Sequence, residues 1–130
     1  MNKTNKEISR EFFDSINKKE YSLAFDMFDE TLEWLIMGTA NVSGIYDKRK
    51  ISLGLKGLAR TFDGFQFSLG ELTSEDDRVS IIAESHAVHK KNGKKYNNHY
   101  HFLFTFKNGK IILVKEFFDT IHANWVELPD

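Results

Sequence analysis

The chain has 130 residues, with 18 basic and 19 acidic side chains for a net charge of −1, no cysteine and one proline. That size fits a single domain over 1–130 with a core of its own, and the near balance of charge leaves no electrostatic footprint for nucleic acid. Without thiols there is no disulfide framework, thiolate metal site or cysteine nucleophile, and a charged N-terminal stretch unlike a secretory signal, with no run near the roughly 18 apolar residues of a membrane span, makes a cytoplasmic protein without membrane contact the expectation.

Thr4-Asn5-Lys6-Glu7 has the form of a capping box, so a first helix is predicted over residues 5–18, with Ile8, Phe12, Phe13 and Ile16 on one face. Tyr21, Ala24, Phe25 and Phe28 repeat the helical spacing in a short second helix. Thr31 to Met37 is rich in β-favouring residues and reads as a strand, followed by a loop from Gly38 to Asp47 placed to cover a pocket mouth. Ile51, Leu55, Leu58 and Phe62 mark a third helix in spite of Gly54 and Gly57. From Phe65 the pattern changes to strands, Phe65–Leu72, Val79–Lys90, Tyr96–Lys107 and Lys110–Thr120, joined by turn sequences such as Asn108-Gly109. Helices first and hairpins afterwards predict an α+β domain, a curved antiparallel sheet with three N-terminal helices on its concave face. Ile81, Leu103, Ile111, Leu113 and Phe117 fall in the other register, an apolar outer face through which a homodimer is expected to form.

The chemistry is concentrated in the last strands. Tyr96, Tyr100, Phe102, Phe104 and Phe106 alternate, with Asn98 in the same register. Polar groups set into such a face cost about 1–3 kcal/mol each when left without partners, so a lined cavity is expected rather than a plain core. Period-2 spacing allows Glu84, His86, Asn98, Tyr100 and Glu116 to share the concave face. There His86 or Glu116, with Glu84, would act as general acid or base, and Asn98 and Tyr100 would orient an oxygen. The plainer reading gives the two glutamates strand-end hydrogen bonds, His86 a place in the wall and Trp34 a place in wall or core, and has Asp119 and His122 link the last strand to the helices. His99 and His101 fall in the opposite register, and with His86 they match no strong ligand spacing, so no metal is expected. No glycine-rich phosphate loop is present, so no nucleotide cofactor is expected either.

These residues resemble those of the nuclear transport factor 2-like superfamily, in its SnoaL-like and ketosteroid-isomerase-like branch. The resemblance is carried by Glu33-Trp34 with Gly38 and Ser43-Gly44-Ile45-Tyr46, by Asp77-Arg78-Val79 leading to Ala83-Glu84-Ser85-His86, by Tyr96-Asn97-Asn98-His99-Tyr100, and above all by Gly109-Lys110-Ile111 followed by Lys115-Glu116-Phe117-Phe118-Asp119-Thr120. It implies a cone-shaped fold around a pocket for a small lipophilic molecule. It also implies that Trp34 stands where ketosteroid isomerases carry their base and Phe102 near their second acid, which removes that machinery. The final acid of limonene epoxide hydrolase aligns with Glu116, and the acid of SnoaL-type cyclases is closest to Asp119. Trp34, Asn98, Tyr100, Phe102 and Phe118 would then touch the ligand. The expected activity is proton transfer on a mostly apolar metabolite, isomerase- or cyclase-like. A non-catalytic lipophile binder and a dimeric protein-association module stay open beside it.

Overall fold

The computed structural model describes residues 3–129. In chain order it contains α1 (Asn5–Asn17), α2 (Tyr21–Phe25), β1 (Phe28–Ile36), β2 (Gly44–Asp47), α3 (Lys48–Thr61), β3 (Phe62–Glu75), β4 (Arg78–His89), β5 (Lys95–Tyr96), β6 (His99–Lys107), β7 (Lys110–Phe118) and α4 (Thr120–Glu127). The capping box forms as the sequence predicts: the Glu7 amide donates to Thr4 Oγ1 at 3.1 Å and the Thr4 amide to Glu7 Oε1 at 3.2 Å. Asp47 starts α3 in the same manner, its Oδ1 accepting from the Lys50 amide at 2.8 Å. Asn108 and Gly109 both take positive φ, as the tight β6–β7 turn requires.

The fold is α+β around a curved, unclosed sheet of order β2-β1-β7-β6-β4-β3, with β5 paired to β4. The expected antiparallel meander is present from β3 to β7, but the sheet as a whole is mixed. β1 lies parallel to β7, with Trp34 opposite Val114 and Ile36 opposite Glu116. Turn sequences report only which strands are consecutive, so the edge chosen by β1 after a long crossover left no local signal. Among the described residues there are also four helices rather than three.

Outward and inward faces follow the pleat, with two local reversals of expectation. Ile81 and Ile111, placed outside by the sequence, are both fully buried, whereas Ile82 and Phe117 are exposed. For Ile111 the cause is a bulge: Phe106 pairs with Ile111 and Thr105 with Leu113, so Ile112 is extra and the faces exchange there. Leu103 and Leu113 are half-buried. Inside, Phe12 and Phe13 of α1 meet Phe28, Trp34, Phe102 and Phe104 with ring centroids 5.0–6.1 Å apart, in tilted, edge-on and stacked pairs. Burial of each such ring contributes roughly 1.5–3 kcal/mol. At Phe67 the free edge of β3 is met by one side chain, since Asn17 Oδ1 accepts from the Phe67 amide and its Nδ2 donates to the Phe67 carbonyl, both at 2.8 Å.

Candidate active site

A cavity of about 320 Å³ opens between the inner sheet face and helices α1, α3 and α4. Its wall is mostly apolar and rich in aromatic rings, with Phe12, Trp34, Phe67, Phe102 and Phe118 among the lining side chains. The loop after Gly38 contributes Asn41 and Val42, and α4 contributes Ala123, Asn124, Val126 and Glu127. Gly38 has φ +89°, and a Cβ there would lie 2.8 Å from Thr120 Cγ2, so this glycine lets the loop close against the start of α4.

Glu116 projects from β7 into this cavity, between Phe102 of β6 and Ile36 of β1. The single hydrogen bond to its carboxyl among the described residues comes from Trp34 Nε1–H, which donates to Oε1 at 2.8 Å. Surrounded by aromatic wall, the carboxyl loses the water that would stabilise its charge, and burial pushes its pKa up to about 7; the Trp34 bond pulls the other way and is the weaker influence. The acid therefore holds and releases its proton near neutrality.

Tyr96 and Tyr100 also border the cavity, Tyr100 two residues along β6 from the Phe102 that faces Glu116. Tyr100 stacks between Phe102 and Phe118, at 5.1 and 5.9 Å, and its hydroxyl shares a hydrogen bond with Ser85 Oγ at 3.1 Å. Burial raises the Tyr100 phenol well above its ordinary value, with the Tyr96 neighbour and the Glu116 charge adding to it. Burial likewise raises Tyr96. Both remain protonated at neutral pH.

The structure thus brings Trp34, Tyr100, Phe102, Glu116 and Phe118 to one cavity. It does not bring Glu84 and His86 there. On β4 the buried positions are Val79, Ile81, Ala83, Ser85 and His89, so the pleat turns Glu84 and His86 outward, where their side chains are 46% and 56% exposed. Glu84 Oε2 lies 3.7 Å from Nε2 of both His86 and His99 and accepts from Asn97 Nδ2 at 3.2 Å. The period-2 reading was sound along each strand, but pairing between strands sets which alternate set faces in. Ser85, not Glu84, is the inward side chain.

Asn98 is buried yet has no free valence for a ligand. Its Oδ1 accepts from the His99 and Asp119 amides at 2.7 and 2.9 Å, and its Nδ2 donates to the Asp119 carbonyl and the Tyr96 hydroxyl, both at 3.0 Å. It clamps the start of β6 to the end of β7. Asp119 is exposed and caps α4, its Oδ1 accepting from the His122 amide at 3.0 Å. That cap also explains the fourth helix: read from sequence, Asp119 and His122 link the last strand to the helices, with the cyclase-like acid role beside it, and an Asp followed by a helix-compatible segment is also a helix start signal. Among the described residues no group of three or more histidine or acidic side chains is arranged to hold a metal ion.

The SnoaL-like domain model matches residues 9–114. The chain belongs to the SnoaL-like domain family. This SnoaL-like chain also shares its fold with solved structures. A nuclear transport factor 2-like protein from Burkholderia thailandensis superposes with a TM-score of 0.86 at 19% identity, over 98% of this chain and 100% of that one. A protein from a soil-derived mobile gene cassette gives 0.80 at 26% identity, over 95% and 94%. TerC, co-crystallised with polyporic acid, gives 0.80 at 17% identity, over 94% and 96%. No curated protein matches. The family match ends two residues before Glu116, so the case for that carboxyl rests on its surroundings in the SnoaL-like fold.

Proposed function

We propose that this SnoaL-like domain binds a small, mostly apolar metabolite in the aromatic cavity and transfers a proton on it, with Glu116 as general base and then general acid. The observation that carries the reading is one carboxyl, half-buried at the cavity wall and hydrogen-bonded to Trp34, whose pKa loss of water pushes up to about 7. General acid–base groups work best when their pKa lies near the working pH, and an acid so placed has no stabilising ion pair to account for its burial. In the ionised form Glu116 takes a proton from a carbon beside a carbonyl, leaving an enolate, and the resulting acid returns the proton to the same carbon, to the γ-carbon where a C=C extends the enolate, or to the alkoxide oxygen formed when the enolate adds to a second carbonyl. The net outcome is isomerisation, or ring closure where the enolate meets a second carbonyl. A cavity of this volume accepts a bicyclic skeleton.

The test is hydrogen–deuterium exchange at the α-carbon of 2-tetralone in deuterated buffer near pH 7, followed by proton NMR. Exchange above the buffer rate, lost in Glu116→Gln, is the expected result. Exchange at the buffer rate in the presence of bound 2-tetralone overturns the catalytic reading and leaves a binding module. We also propose that the outer face, where Ile82 and Phe117 are 45% and 43% exposed, pairs with a second copy of the chain. Sedimentation at micromolar concentration reads this, and a monomer overturns it.

A further inference from the structure

The hydroxyl groups at the tyrosine end of the cavity carry one proton more than their own network can place. Two fixed donors define its ends. The Asn98 carboxamide cannot be turned over, because its Oδ1 accepts two backbone N–H groups and its Nδ2 donates to a backbone carbonyl; reversal would set oxygen against oxygen and N–H against N–H. Its second Nδ2 proton therefore goes to the Tyr96 hydroxyl, which is an acceptor in that contact. At the other end the Asn98 backbone N–H donates to Ser85 Oγ at 3.2 Å. Between the capped ends run only two links, Ser85 to Tyr100 at 3.1 Å and Tyr100 to Tyr96 at 3.3 Å.

Three hydroxyls supply three protons to those two links, so one O–H is left over. No further acceptor among the described residues receives a bond from any of the three hydroxyls. Were the spare proton on Ser85, which is fully buried and does not border the cavity, a buried donor would be stranded. With Ser85 donating to Tyr100 instead, the spare proton sits on Tyr96 or Tyr100, and both border the cavity. Burial keeps both phenols protonated, so the O–H persists at neutral pH.

We infer that the Tyr96–Tyr100 end of the cavity is a built hydrogen-bond donor site for an acceptor oxygen of the ligand, a ketone carbonyl or the enolate formed from it. The assignment rests on the cavity reading above and deepens it. The ligand then has an apolar body, one acceptor oxygen held by a phenol, and a reacting carbon presented to Glu116. A pure hydrocarbon leaves the donor unmet, and a group that can only donate is rejected.

The experiment compares 2-tetralone with tetralin, its hydrocarbon counterpart of the same skeleton, in the full chain. Dissociation constants are measured by calorimetry for the natural protein and for the double variant Tyr96→Phe, Tyr100→Phe, with a thermal melt as the check on folding. The ratio of the two dissociation constants is expected to move about tenfold against 2-tetralone in the double variant. The infrared carbonyl band of 2-tetralone bound to the natural protein is expected below its position in a hydrocarbon solvent, and this reading decides if the variant does not fold. An unchanged ratio, or an unshifted band, overturns the donor site. Glu116-dependent exchange with an unshifted band removes the donor site alone, whereas absence of binding by both molecules removes the cavity reading and the donor site together.

Discussion

Two glutamates on opposite faces of one sheet show what the fold does to a carboxyl. Glu84 on β4 faces out, near two imidazoles and an amide, with water around all of them. Glu116 on β7 faces in, with one indole N–H and an aromatic wall. The outer residue has more polar neighbours, but solvent screens ion pairs at such distances and leaves them little net effect. The inner residue has one, and its proton affinity is moved by two to three orders of magnitude, from an ordinary 4.5 to about 7. Loss of water, not the number of partners, makes the reactive site.

The largest effect that can break this contrast is on turnover. Glu116→Gln is expected to lower proton exchange by about 10²- to 10⁴-fold while the fold and ligand affinity persist, read by NMR exchange rates and calorimetry. Glu84→Gln with His86→Ala is expected to leave both untouched. Next comes the clamp. Asn98→Ala strands the His99 and Asp119 amides and frees the end of β7 from β6, with an expected stability loss of about 3–5 kcal/mol in denaturant unfolding.

The pH dependence of stability follows from the raised Glu116 value. Between pH 4.5 and about 7 the folded chain holds a proton that the unfolded chain has released. The contribution of this group is therefore complete below pH 4.5, falls as pH rises through that window, and is lost above about 7, a decline on the order of 3 kcal/mol. Urea midpoints across that range are expected to fall in the natural protein by more than in Glu116→Gln. Gly38→Ala is expected to cost about 1–3 kcal/mol, since it combines positive φ with a contact against Thr120, and to loosen α4 over the cavity mouth, read by hydrogen exchange at Ala123 and Asn124. The smallest effect is the outer pair: Glu84→Gln and His86→Ala are each expected within about 0.5 kcal/mol of the natural stability.

Much of the architecture was legible because it is written in local chemistry. The Thr4–Glu7 box, the aromatic period of β6 and the Asn108-Gly109 turn each specify their element without help from the rest of the chain. Glu116, Tyr100, Trp34, Phe102 and Phe118 were placed near one another for the same reason, together with the family resemblance. What escaped was set by pairing between distant strands. The parallel entry of β1 beside β7 has no turn to announce it, the bulge at Ile112 exchanges faces without a glycine or proline, and a one-residue choice of phase on β4 decides between Glu84 and Ser85 as the inward side chain. Asn98 was identified as a buried polar group, but its saturation by four side-chain hydrogen bonds depends on the chain turning back at Asp119.

The most direct test is a pH titration of the Glu116 side-chain carboxyl carbon by ¹³C NMR on glutamate-labelled protein, assigned by its absence in Glu116→Gln. A midpoint near 7, moving upward in Trp34→Phe as the indole hydrogen bond to the carboxyl is removed, is the predicted result. A midpoint near 4.5 would mean that water reaches the carboxyl freely and would contradict its role as the proton-transferring group.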